Sequence, residues 1–187
     1  MPNYTHNIPD SPSGPALPIR RTPAYTPMQA IVTSPDLIGT YTHYYKGRTV
    51  PCESPDCEPC QEGIPFRWHA YLAAHDRKTA LHFIFEVTAA GAEPFIDYRD
   101  SHGTLRGCLF QARRHMQRQN GRVLIQTKPA DLTEIRLPKP PDLTKCLAIL
   151  WNLPNGEVKK NGVNPQKRTP RITTGNHPHH HKETDHE

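Results

Sequence analysis

The chain has 187 residues, 35% of them hydrophobic, with 21 prolines and a formal charge of +5. That length suits one domain of ordinary size, and so low an apolar content fits a chain that is partly tail. There is no apolar run near the roughly 18 residues of a membrane span and no charged start followed by an apolar core, as in a secretory signal. The expected location is the cytoplasm, with reduced thiols.

Residues 1–35 are rich in proline, which fixes φ and removes a backbone donor, so a disordered or polyproline-like arm is expected there. Ala30-Ile31-Val32 is the one piece placed to dock on the domain. Strand patterning begins at Leu37 and runs through Tyr45, closing at Lys46-Gly47. After a cysteine-rich loop that ends at Gly63, a second strand covers 66–73. With period 2, Phe66, Trp68, Ala70 and Leu72 face one side, and Arg67, His69 and Tyr71 the other.

A polar turn at 74–79 leads back into a strand over 81–87, with Leu81, Phe83, Phe85 and Val87 inward. Thr88 reads as the cap of a helix reaching Ser101, with Gly103 as its stop; Pro94 marks either a kink or the true start. Strands follow at 105–113 and 122–127, joined through the turn signal Asn120-Gly121. A proline-rich connector covers 128–141. Asp142 then caps a helix over 143–153 whose apolar stripe is Leu143, Cys146, Leu147, Leu150 and Trp151. Cys108 and Cys146 stand alone among apolar neighbours and read as small buried hydrophobes. Residues 154–187 are expected to be a disordered, basic and His-rich tail, which leaves 36–153 as the domain.

Three of the five cysteines, Cys52, Cys57 and Cys60, fall within nine residues, with His43 upstream. A C-x-x-C turn such as Cys57-Glu58-Pro59-Cys60 can present two thiolates to one tetrahedral cation. A redox pair would open a helix in a βαβ unit, and none is evident. A disulfide framework favours an even count in an oxidising compartment. A structural Zn²⁺ on Cys52, Cys57 and Cys60 is the expectation, with His43 as fourth ligand and His69 behind it. No carboxylate is placed to serve a metal-bound water as general base. No H-x-E with P-C-x-x-C deaminase signature and no phosphate-cradling glycine loop occur. An enzyme is therefore not expected.

Arg106, Arg113, Arg114, Arg118, Arg122 and Lys128 occur in one stretch without an acidic residue. Such a segment repels itself unless a polyanion relieves it, although a solvated basic face is the plain alternative. Near the metal loop, Tyr41, Tyr44, Tyr45, Lys46 and Arg48 mix flat rings with cations, as do Arg67 and Tyr71 on one strand face. Arg106, Arg113, Arg114 and Arg122 would lie on a neighbouring hairpin. Binders of single strands need cations for phosphates and flat side chains for bases. For any one of these tyrosines, core packing is as good an account as stacking.

The element order β-β-β-α-β-β is that of the OB-fold, a five-stranded Greek-key barrel, with the zinc loop inserted between its first two strands. The order His43, Cys52, Cys57, Cys60, closed by Cys57-Glu58-Pro59-Cys60, resembles the metal site of the zinc-containing phage single-stranded DNA-binding proteins, whose core is an OB-fold. That family closes with C-P-x-C, whereas here the proline stands one place later. Spacings are shorter, and the family's acidic C-terminal tail is absent. The resemblance covers roughly residues 36–127. It implies single-stranded DNA bound without strong sequence specificity, and replication or repair proteins as partners. The alternative function is a protein–protein interaction adaptor that uses the zinc loop and the proline-rich arm.

Overall fold

A computed structural model describes residues 17–53, 57–119 and 121–151. The expected tail at 154–187 and residues 1–16 of the expected arm lie outside the described residues, as does Asn120. Eight strands form: β1 (Ile19–Arg20), β2 (Met28–Val32), β3 (Ile38–Tyr45), β4 (Arg48–Pro51), β5 (Phe66–Asp76), β6 (Leu81–Thr88), β7 (Cys108–Arg114) and β8 (Val123–Pro129). Three helices accompany them: α1 (Glu58–Gln61), α2 (Ala89–His102) and α3 (Leu143–Trp151). None of the described helices is long and apolar enough to cross a membrane.

The strand order is β1-β6-β5-β2-β7-β8, and β3 lies off this path, pairing with β4 and β5. The protein is thus mainly β, but the sheet has eight strands and its path ends at β1 and β8 without closing. The expected five-stranded barrel is corrected accordingly. The reason lies in 17–35. There the prolines fall between strands, at 18, 23, 27 and 35, and leave Met28–Val32 free to donate and accept. Far from an arm, β2 is a central strand between β5 and β7.

The spine is β5, eleven residues long. One edge pairs with β6 from His69 to Asp76. The other edge is shared, with β3 opposite 66–71 and β2 opposite 74–75. Between these ladders residues 33–37 face only 72 and 73, so the chain bulges outward. Ser34 closes the gap, its Oγ accepting the Ala73 N–H at 3.1 Å while the Thr33 N–H donates to the Ala73 carbonyl at 2.8 Å.

The sheet curls tightly. In a flat sheet β6 and β7 would lie about 14 Å apart, three strand spacings. Instead Phe85 on β6 and Phe110 on β7 stack with centroids 4.8 Å apart, and Phe95 of α2 meets both edge-on. This aromatic trio joins Ala30, Val32, Ala70, Leu72, Phe83 and Ala92 in the main core. Helix α2 lies over that concave face and keeps Pro94 inside it, where the sequence left two options open. Gly103 ends the helix at φ 76°, its N–H on the Arg99 carbonyl. The opposite face carries a second core, in which Leu143, Leu147 and Trp151 of α3 cover Tyr71, Ala73 and Ile84. As its sequence implies, α3 is capped by Asp142, whose Oδ1 accepts the Lys145 N–H at 3.1 Å.

Candidate metal centre and adjoining cleft

A two-residue turn joins β3 to β4. Lys46 and Gly47 both take positive φ, 49° and 81°, the conformation that matches the twist of a tight hairpin. The hairpin puts His43 opposite Val50 and delivers the chain to Cys52, whose N–H donates to the Tyr41 carbonyl at 2.8 Å. Cys57 then stands at the N-cap of α1, and that single turn carries Cys60 back toward it. Four donors converge: His43 Nε2 and the sulfurs of Cys52, Cys57 and Cys60 all lie within 4.8 Å of one another.

The separations fit one tetrahedral ion. With metal–sulfur bonds of about 2.3 Å and metal–nitrogen bonds of about 2.0 Å, tetrahedral edges are roughly 3.5–3.8 Å. Here Cys52 Sγ and Cys60 Sγ are 3.6 Å apart, and His43 Nε2 lies 3.6 Å from Cys57 Sγ and 3.4 Å from Cys60 Sγ. His43 is wholly buried, and its Nδ1 is 3.0 Å from the Ile64 carbonyl. A proton on Nδ1 makes that bond and leaves the Nε2 lone pair facing the sulfurs, and a carbonyl partner of this kind is what usually orients a metal-bound histidine.

The thiols bear on one another. Burial and the neighbouring Cys57 and Cys52 push Cys60 up to about 12. Burial also raises Cys57, but the Cys60 backbone N–H and thiol outweigh it, and the net shift is downward. A cation at their centre would bind them as thiolates and release their protons. His69, the reserve candidate, is not part of the cluster. Its Nδ1 is 2.7 Å from Thr42 Oγ1 and its Nε2 is 4.0 Å from Glu86.

The candidate nucleic-acid residues divide. The pleat separates the tyrosines of β3, sending Tyr41 and Tyr45 to the side of His43 and Tyr44 to the other. Tyr41 is exposed and meets the exposed Phe66 edge-on at 5.3 Å, next to His43. Tyr45 donates to Glu62 at 2.7 Å, and Lys46 sits over its ring while pairing with Glu58. Arg48 is exposed beside α1. Tyr44, 69% exposed, stands on the cleft face with Arg67.

Two candidates are corrected. Tyr71 is fully buried, against Trp151 at 5.4 Å, because α3 covers the strand face that alternation alone marks as wet. Arg106 is a clamp: its guanidinium donates to the Thr33 carbonyl at 2.6 Å and the Pro138 carbonyl at 3.0 Å, fastening the 128–141 connector to the sheet. Arg114 also has a structural duty, donating to the carbonyls of Thr22 and Gly121, but it remains in the cleft wall. Arg67, Arg113 and Arg122 are exposed and pair with no acid among the described residues.

The cleft, of about 570 Å³, opens where β3, β5 and β6 meet the segment after β1. Arg21, Arg67 and Arg114 line it against one carboxylate, Glu86, with Tyr44, Thr49 and His69 between them. Glu86 is buried and takes Arg21 on both oxygens, at 2.8 and 3.1 Å. Burial lowers the His69 pKa; Glu86 opposes that effect, and the nearby Arg21 and Arg67 add to it. Arg21 and Glu86 are absent from the sequence-based candidates. A signal existed for Glu86, the only acid in an apolar strand. For Arg21 there was none, since its segment reads as proline-rich coil. No protein-family model, curated protein or solved structure matches the chain.

Proposed function

We propose that this protein binds single-stranded nucleic acid with little sequence specificity, through the cleft and the exposed rings beside it. On this proposal a structural Zn²⁺, held by His43, Cys52, Cys57 and Cys60, pins the β3–β4 hairpin that carries the rings. One observation carries the reading: three arginines line the cleft against a single carboxylate, and the largely exposed Tyr44 stands in its wall. Phosphates would meet Arg67 and the unsatisfied part of Arg114, and a base would stack on Tyr44. Tyr41 and Phe66 offer a second aromatic ledge on the metal side. The donor set has three cysteine sulfurs and one imidazole, with no further ligand in the cluster among the described residues, and it suits a closed structural site. This mode of action is that of the zinc-containing phage proteins which the His-Cys-Cys-Cys order resembles.

The test is a titration of fluorescent single- and double-stranded oligonucleotides over a salt series. Binding should favour the single strand and weaken linearly in log–log form, with about 0.7 in slope for each phosphate contact. Tyr44→Ala should cost about 1–3 kcal/mol of affinity, the value of one stacked base, and leave the melting temperature unchanged. No binding at low salt would remove the proposal.

A further inference from the structure

Beyond the cleft, β7 and β8 are joined by a tip whose backbone is strained. Met116 and Gln117 both have positive φ, 54° and 51°, a region that costs a residue with a Cβ about 1 kcal/mol or more. The surroundings hold it there. The His115 N–H donates to the Arg122 carbonyl at 2.8 Å and the Gly121 N–H to the Arg118 carbonyl at 2.9 Å. A Cβ on Gly121 would lie 2.4 Å from the His115 carbonyl oxygen, so only glycine fits.

This strained tip leaves Met116 67% exposed, and Tyr25, on the segment leading into β2, is 68% exposed. Together they line a hollow of about 310 Å³ with Pro27, Arg113, Arg114 and Gln117. Arg114 fixes both walls. Its Nε donates to Thr22 on the Tyr25 side at 3.1 Å, and its Nη1 to Gly121 on the Met116 side at 3.3 Å. The same arginine is in the wall of the larger cleft, so the two depressions adjoin. Charge is one-sided: no acid lines the hollow, and none occurs in the sequence between Asp100 and Asp131.

We infer that this hollow is a second base-stacking subsite, in which a nucleobase of the strand seated in the cleft lies against Tyr25 and Met116 while Arg113 receives its phosphate. The inference rests on the single-strand reading of the cleft and lengthens the footprint past Arg114. An aromatic ring and a flexible thioether grip a flat base without reading its edge, as a sequence-tolerant binder needs.

The experiment is an anisotropy titration of the full chain with oligothymidines of about 4 to 16 nucleotides, the range of site sizes for small single-strand binders. Affinity should rise in two steps with length. Tyr25→Ala and Met116→Ala should abolish the second step, weakening the longest oligonucleotide roughly 5- to 150-fold, the equivalent of one stacked base, and sparing the shortest. Tyr25→Phe should keep the step. Both side chains are largely exposed, so unchanged melting temperatures are expected for these variants. Equal loss at all lengths, no loss at any length, or displacement of the long oligonucleotide's outer end by polyglutamate of matched charge would overturn the subsite. If Tyr25→Ala changes nothing in a chain that still binds, the subsite alone falls. If the unaltered chain binds no oligonucleotide, the reading of the cleft falls with it.

Discussion

From Ala70 to Ala74, β5 is paired with β6, and its side chains alternate between two apolar cores. From Phe66 to His69 the same strand pairs with β3, whose hairpin has few apolar contacts of its own: Phe66 is 53% exposed, and Tyr41 and Tyr44 also face outward. What gathers this half is the cluster of His43 with three sulfurs. One half is held by burial; in the other, four donors stand at the separations that one tetrahedral ion would bridge. Strand β3 is laddered to β5 only from Ile38 to His43, and beyond that the hairpin pairs with itself alone. A lone two-stranded hairpin is marginal in water, so a tether at His43 and Cys52 would fix the backbone that carries the exposed rings. The candidate binding rings sit at the end of the sheet that carries the donor cluster.

The largest effect should follow removal of the metal, since ligation in small structural zinc sites is worth on the order of 10 kcal/mol. A strong chelator, or Cys60→Ser, should speed amide exchange from 42 to 64 and leave 83–87 and 110–112 protected. Uniform loss of protection would erase the distinction between the halves. In the core half, Phe110→Ala should lower the unfolding free energy by about 3–5 kcal/mol, because it opens a cavity between Phe85 and Phe95; urea denaturation reads it directly. Arg106→Ala should cost about 1.5–3 kcal/mol by releasing the connector from its charged hydrogen bonds. It should leave the salt dependence of oligonucleotide binding unchanged, in contrast to Arg67→Ala, which should reduce the slope by about one contact.

The smallest effect is a pH dependence on the core side. Burial, with help from His75 and Arg106, holds the His82 pKa below its ordinary 6.5. The unfolded chain therefore binds a proton first as the solution is acidified. The stability tied to neutral His82 is complete above that ordinary value and is lost as pH falls toward the folded one. The urea midpoint should thus fall between pH 7.5 and 5.5, and by less in His82→Gln, whose amide can keep the 2.8 Å bond to Thr33.

The metal set was legible in the sequence because it is nearly local. His43 and the cysteines lie on one hairpin and one turn, and C-x-x-C spacing limits where two sulfurs can go. The strands from 66 to 87 and the two longer helices were legible from periodicity and caps. What failed depends on tertiary partners. Alternation put Tyr71 on a wet face, and it could not say that α3 returns to cover it. Proline density concealed β2, although the prolines stand outside the strand itself. Arg106 read as part of a basic stripe, whereas its partners are carbonyls 31 to 73 residues away in sequence.

Native mass spectrometry of the purified full chain tests the central claim most directly. The account predicts a folded species carrying one zinc ion, lost from the Cys57→Ser and Cys60→Ser variants and not from Cys108→Ser. A folded chain that is metal-free, or that keeps its zinc when Cys57 and Cys60 are both replaced, would contradict it.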